Sequence, residues 1–301
     1  MNHPRITLST ALLLTLPPLL WAGNAVVGRM VHASVPPMTL NLLRWVIALL
    51  ILLPLAGSVL RPGSSLWTCW RRFALLGLLG VGLYNSLQYL ALQSSTPINV
   101  TLVAAGMPVW MLLIGRMFFN APVGRRQVMG AVLSIAGVLL VLSRGEWHQL
   151  LALQLVPGDL FMIAATIAWS FYSWLLTLPK EPKDLRSNWA AFLLGQVAFG
   201  VVWSSALTVG EWTLGSPSDI VWGWPLAAAL LYVAVGPAII AFRCWGAGIQ
   251  RAGPTVAGFF TNLTPLFAAI LSAAFLGEMP HLYHVAAFIL IIAGIVFSSM
   301  R

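Results

Sequence analysis

Residues Tyr89–Trp110 read YLALQSSTPINVTLVAAGMPVW, and residues Trp245–Glu278 read WGAGIQRAGPTVAGFFTNLTPLFAAILSAAFLGE. Sliding the chain by about 157 residues lays one stretch on the other without a gap. Gln93 then falls on Gln250, Pro97 on Pro254 and Pro108 on Pro265, and further on Ala136-Gly137 falls on Ala293-Gly294. A weaker match at a slightly different offset sets Trp21 opposite Trp169. Self-similarity at this length marks a duplicated unit.

Composition says where that unit lives. The chain has 301 residues, 59% hydrophobic and only 8% charged, where a soluble domain carries about a quarter charged. Its apolar residues come in long blocks, and about 20 in a row cross a bilayer as a helix. Ten blocks are found: Leu8–Val31, Pro36–Ala56, Arg72–Gln93, Ile98–Phe118 and Gly124–Leu142, then Gly158–Leu178, Trp189–Val209, Pro225–Ile249, Thr255–Phe275 and Leu282–Ser299. The expectation is an all-α integral membrane protein of ten transmembrane helices. Soluble enzymes and disulfide scaffolds are excluded as whole-chain readings. The net charge of +9 is spread over several loops with no basic-aromatic platform, so no nucleic acid partner is expected. Cys69 and Cys244 have no metal-ligand spacing, and no metal site is expected.

Each copy, residues 8–142 and 158–299, holds five spans, and five is odd. The second copy therefore enters the bilayer upside down. The charges test this separately. In the first copy Arg61, Arg71 and Arg72 follow the second helix, and Arg125 and Arg126 follow the fourth. The matching second-copy loops, Gly210–Trp224 and Gly277–His281, contain no Lys or Arg; Lys180, Lys183 and Arg186 follow its first helix and Arg251 its third. Basic loops mark the cytoplasmic side, which puts both termini in the cytoplasm. The first span is too long for the apolar region of a cleaved signal peptide. Trp67, Trp70, Trp147, Trp212, Trp222 and Trp224 in the connectors read as an interfacial belt. Two inverted five-helix repeats around a central cavity are a transporter architecture, working by alternating access. One chain encloses the pathway, so a monomer suffices.

With these stretches, and the closing GAVLSIAGVLLV and AAFILIIAGIVF, the chain resembles the drug/metabolite transporter superfamily, EamA type, over nearly its whole length. Within it the sequence is most similar to YddG-type exporters of aromatic amino acids. The resemblance implies export of aromatic or other neutral amino acids across a bacterial inner membrane. The family's acid after the fourth helix of each repeat is present as Glu278, but Ala121 stands at the matching first-copy position.

Polar and aromatic side chains inside spans mark a pathway or a partner. Trp21 and Asn24 share a stripe of the first span; Tyr84, Asn85, Gln88 and Tyr89 lie within a turn and a half of the third. Trp110 in the fourth, Trp169, Tyr172 and Ser173 in the sixth, and Asn262 in the ninth complete the expected lining. Arg44 lies roughly 13 Å along the second span, on a face with Asn41, and a guanidinium there either holds backbone carbonyls or binds a substrate carboxylate. Arg243, near the end of the eighth span, snorkels to the interface. Pro108 and Pro265 break backbone hydrogen bonds at matched sites and are read as gating hinges.

No Gly-rich phosphate loop occurs, so neither ATP nor another cofactor is expected. All seven acids lie in loops or at span ends, which points to transport without obligatory proton coupling. Multidrug efflux of quaternary ammonium or viologen-like cations is the alternative substrate class, since ring faces bind cations. A non-specific channel, and a membrane-embedded enzyme or lipid-handling protein, are the rivals from other classes; a catalytic constellation is not found.

Overall fold

The computed structural model describes residues 7–31, 33–95, 97–146, 148–151, 156–215, 219–276 and 282–300. Among the described residues there is no strand, and nine helices are long and apolar enough to cross a membrane. The helix expected as the sixth span is Pro157–Leu175, and it stands outside those nine; Asp159, Thr166, Ser170 and Ser173 lie along it. One face of that helix is enclosed, with Met162, Ala165, Thr166, Trp169, Ser170, Tyr172 and Ser173 buried, while Leu160 and Phe161 are exposed. Leu50, Leu55, Leu113, Met117, Val202 and Ile289 also face outward, as lipid contact requires.

Span one is Leu8–Val31, span two Pro37–Ala56, span five Arg125–Leu142, span seven Trp189–Leu214 and span ten Leu282–Ser299. Spans three and eight are interrupted at matched places. Span three runs Trp70–Leu76, opens into a wide π-type turn at Gly77–Leu83, and resumes as Tyr84–Ser94. Span eight runs Trp224–Val233, opens at Ala234–Ile240, 157 residues later, and resumes as Ala241–Ala252. A wide turn loosens the backbone ladder, and in both cases another span takes a carbonyl from it. Asn41 Nδ2 donates to the Val81 oxygen at 3.4 Å, and Trp21 Nε1 donates to the Pro237 oxygen at 3.3 Å.

Spans four and nine are also broken in step. Span four is Pro97–Ala104 and Met107–Phe118; span nine is Pro254–Phe260, a tight turn at Thr261–Leu263, and Thr264–Leu276. Pro108 and Pro265 each stand second in the new segment, where a missing N–H costs nothing. The irregular turn comes just before each proline, at residues 105–106 in span four and at Thr261–Leu263 in span nine.

The packing is exchanged between the copies. Span one lies on spans eight and nine, while span six lies on spans three and four. Spans two and seven, four and nine, and five and ten meet each other directly. These three pairs are antiparallel. Gly130 approaches Gly294 and Gly137 approaches Ala287; Thr39 meets Glu211 and Trp212 while Asn41 meets Ser204; Ala105 meets Asn262 while Met111 meets Gly258.

Two ends of the bundle are tied by charge. Span two starts behind Pro36-Pro37, and its first free N–H groups belong to Met38 and Thr39. The Glu211 carboxylate accepts both, at 2.9 and 3.0 Å, and the Thr39 hydroxyl at 2.9 Å. An anion at a helix start is favoured by the dipole as well as by the hydrogen bonds. Glu211 had been expected in a loop; span seven extends through it to Leu214. At the other end Arg72 pairs with Glu181 and donates to the Leu175 and Leu178 oxygens at 2.9 and 2.7 Å, closing the last turn of span six.

Candidate functional site

The centre of the bundle is a cluster of rings. Trp169 of span six contacts Trp21 edge-on at 5.3 Å, Tyr84 and Tyr172 at 5.0 Å, Phe242 at 5.3 Å and Trp245 at 5.7 Å. Trp45 of span two extends the chain through Phe242 at 5.0 Å. Five spans thus meet through aromatic faces and edges, a geometry that adds specific attraction to simple burial. Two of its polar tips are partnered: Trp245 Nε1 donates to Ser173 Oγ at 3.1 Å, and the Tyr172 hydroxyl donates to Gln196 Oε1 at 2.9 Å.

The structure brings together Trp21, Tyr84, Trp169, Tyr172 and Ser173. Trp169, Tyr172 and Ser173 are no more than 2% exposed, so they are packed rather than open to water in this conformation. Asn85 is buried, and Gln88, Tyr89 and Trp110 are half-buried. Asn262 is drawn to a different place: its amide donates to Ser134 Oγ at 2.8 Å and the Ala105 oxygen at 3.4 Å, tying span nine to spans five and four. Asp159 is also distant from the rings, accepting from the Ser95 hydroxyl and from the Val156 N–H at 2.9 Å. The Glu278 loop lies outside the described residues, as does Trp147.

Sequence reasoning missed Trp45, Phe242 and Trp245. Only Trp245 carried a signal, being the first residue of the matched second-copy stretch. The other two are apolar or aromatic side chains next in sequence to an arginine, Arg44 and Arg243, and the charged neighbour drew the reading instead.

Beside the rings lies a polar turn of span two. Arg44 is 2% exposed, stacks on Trp45 at 5.1 Å, and reaches Asn24 Oδ1 with one guanidinium nitrogen at 3.5 Å. Tyr89 lies within electrostatic range of it. Asn41 is fully buried and donates to Val81, Ser86 and Ser204. Among the described residues three buried polar side-chain atoms have no hydrogen-bond partner: Asn41 Oδ1, Arg44 Nε and Trp45 Nε1. All three stand on this one turn. An orphaned buried polar atom costs about 1–3 kcal/mol, more when charged, and a lone buried cation is rarer still.

Among the described residues no group of three or more potential ligands could hold a metal ion. An internally broken helical bundle of antiparallel pairs with a buried polar-aromatic centre is an architecture found among membrane transporters. The EamA-like transporter family matches residues 8–143 and 156–300, and the chain belongs to that family. An uncharacterized transporter from Archaeoglobus fulgidus is 26% identical, over 97% of this chain and 98% of its own. An aromatic amino acid exporter, YddG, from Ancylobacter novellus is 26% identical, over 84% of each chain. A solved crystal structure superposes with a TM-score of 0.73 over 96% of each chain at 21% identity, a likeness of fold. The protein is a multi-pass membrane transporter, not an enzyme, and its substrate is a small molecule.

Proposed function

We propose that this chain exports aromatic or other neutral amino acids across a bacterial inner membrane, by alternating access and as a facilitator. The observation that carries this is the orphaned turn of span two. Arg44 Nε and Trp45 Nε1 are donors; Asn41 Oδ1 is an acceptor. A carboxylate supplies acceptors to the first two, and an ammonium supplies a donor to the third. One α-amino acid backbone carries both groups on one carbon. The rings of Trp21, Tyr84, Trp169 and Tyr172 then offer an apolar, edge-and-face surface for its side chain. The naming of a relative as an aromatic amino acid exporter agrees with this reading.

Arg44 also weighs against organic cations, because an unpaired guanidinium raises the cost of a second positive charge nearby. For substrate to enter, the ring cluster must part. The restarts before Pro108 and Pro265 are the matched points at which spans four and nine can bend. The cytoplasmic placement of both termini and the sufficiency of a monomer belong to the same reading.

The test is counterflow of phenylalanine in vesicles containing only this protein. Saturable exchange is expected, and Arg44→Met lowers it about 100-fold, the worth of a charged hydrogen bond of about 3 kcal/mol. Folding is checked by a monodisperse elution profile, which Met is expected to preserve because it removes an uncompensated buried charge. Wild-type flux in Arg44→Met removes the carboxylate site; unsaturable conductance removes the transporter mechanism. A substrate-evoked pH change scaling with uptake contradicts the facilitator reading.

A further inference from the structure

At one edge of the bundle, away from the rings, a groove of about 300 Å³ lies between spans one, seven and eight. Its walls include Leu13, Ile240 and Ala247, and its polar groups are Arg243 and Arg251. Trp189, the first residue of span seven, lies beneath Arg243, with the guanidinium carbon 4.2 Å from the ring centre. Both arginines are exposed. Arg251 reaches Ser9 Oγ at 3.4 Å, and among the described residues neither arginine forms an ion pair. They stand on one helix, two turns apart, about 12 Å at 1.5 Å per residue.

Arg and Trp are common at a membrane interface; here they border an apolar groove between membrane helices, whose wall faces hydrocarbon. Two cations with no ion-pair partner among the described residues, at the mouth of such a wall, complement an anion that is itself joined to hydrocarbon. Arg is the side chain suited to phosphate oxygens, which its planar fork meets bidentately. Trp189 holds the guanidinium by cation–π attraction and occupies the headgroup depth that Trp prefers. Sites of this construction, basic and set between membrane helices, take anionic phospholipid headgroups.

We propose that the groove formed by Trp189, Arg243 and Arg251 against Leu13, Ile240 and Ala247 is a binding site for an anionic phospholipid. The headgroup phosphate sits between the two arginines and one acyl chain lies along the apolar wall. The site is separate from the substrate pathway.

The test is native mass spectrometry of the purified full-length protein titrated with phosphatidylglycerol or phosphatidylcholine of matched chains. Wild type is expected to retain phosphatidylglycerol about tenfold more strongly than phosphatidylcholine. Arg243→Gln/Arg251→Gln removes that preference and leaves phosphatidylcholine retention unchanged. Arg125→Gln/Arg126→Gln, the same charge change elsewhere, keeps it. Equal retention of the two lipids by wild type overturns the proposal, as does an undiminished preference in the groove variant. If the Arg125/Arg126 variant loses as much, attraction is diffuse and there is no site. Millimolar inorganic phosphate is expected not to displace the lipid; displacement identifies a free-phosphate site instead. Monodisperse elution and unchanged phenylalanine counterflow show that the variants fold.

Discussion

Where span five crosses span ten, backbone lies on backbone; where span six meets spans one, three and eight, rings lie on rings. A Cβ added to Gly130 would stand 2.7 Å from the Gly294 oxygen, and one added to Gly294 would stand 2.7 Å from the Gly130 oxygen. The next contact along repeats this pattern, with Gly137 against the Ala287 oxygen at 2.9 Å. Such a seam, where backbone and short side chains such as Ser134 and Ser298 lie close, is held by close van der Waals contact, the main attraction left between helices in lipid. The ring cluster is the reverse. Its partners touch through bulky side chains, and few hydrogen bonds cross it. Under the proposed alternating access, the seam is the fixed part of the molecule and the rings the movable part.

The comparison is broken most directly at the seam. Gly130→Leu drives a side chain into the opposing backbone and is expected to cost about 3 kcal/mol or more. A thermal melt followed by size-exclusion fluorescence should show little or no monodisperse protein. A variant as stable as wild type would mean that the seam is not tightly closed.

A smaller effect on folding, with a large one on flux, is expected at the rings. Trp169→Leu removes the ring that five others touch and costs about 2 kcal/mol, so folded protein survives. Phenylalanine counterflow should fall about tenfold, as one or two aromatic contacts of this kind would give. If Trp169→Leu unfolds as badly as Gly130→Leu, the two regions are one rigid core.

The smallest effects are expected where the two regions join, at the restarts of spans four and nine. Pro108→Ala and Pro265→Ala remove the ring that keeps the preceding segment from running on as one regular helix. Counterflow should slow about threefold in each, with thermal stability unchanged or slightly lowered, since the unfolded chain gains freedom. Unaltered rates in both variants remove the hinge role.

Much of the fold was legible before any coordinate. Span lengths follow from bilayer thickness, and spans one and ten begin and end where the apolar runs do. Arg44 stood out because charge inside a span is costly. Its neighbours Asn41 and Trp45 became a site only through burial, since their orphaned atoms depend on what spans one, three and seven fail to offer them. Glu211 could not be assigned to the start of span two, because the two are 173 residues apart and meet only through packing.

By itself the amino-acid order determined that the chain crosses a membrane many times in two related halves, because hydrocarbon thickness and duplication both leave linear marks. Tertiary structure alone decided which faces turn inward. In lipid the outward face is as apolar as the core, so the periodic contrast that marks a buried face in water is missing. The meeting of Trp45, Trp169, Phe242 and Trp245 is therefore a fact of packing.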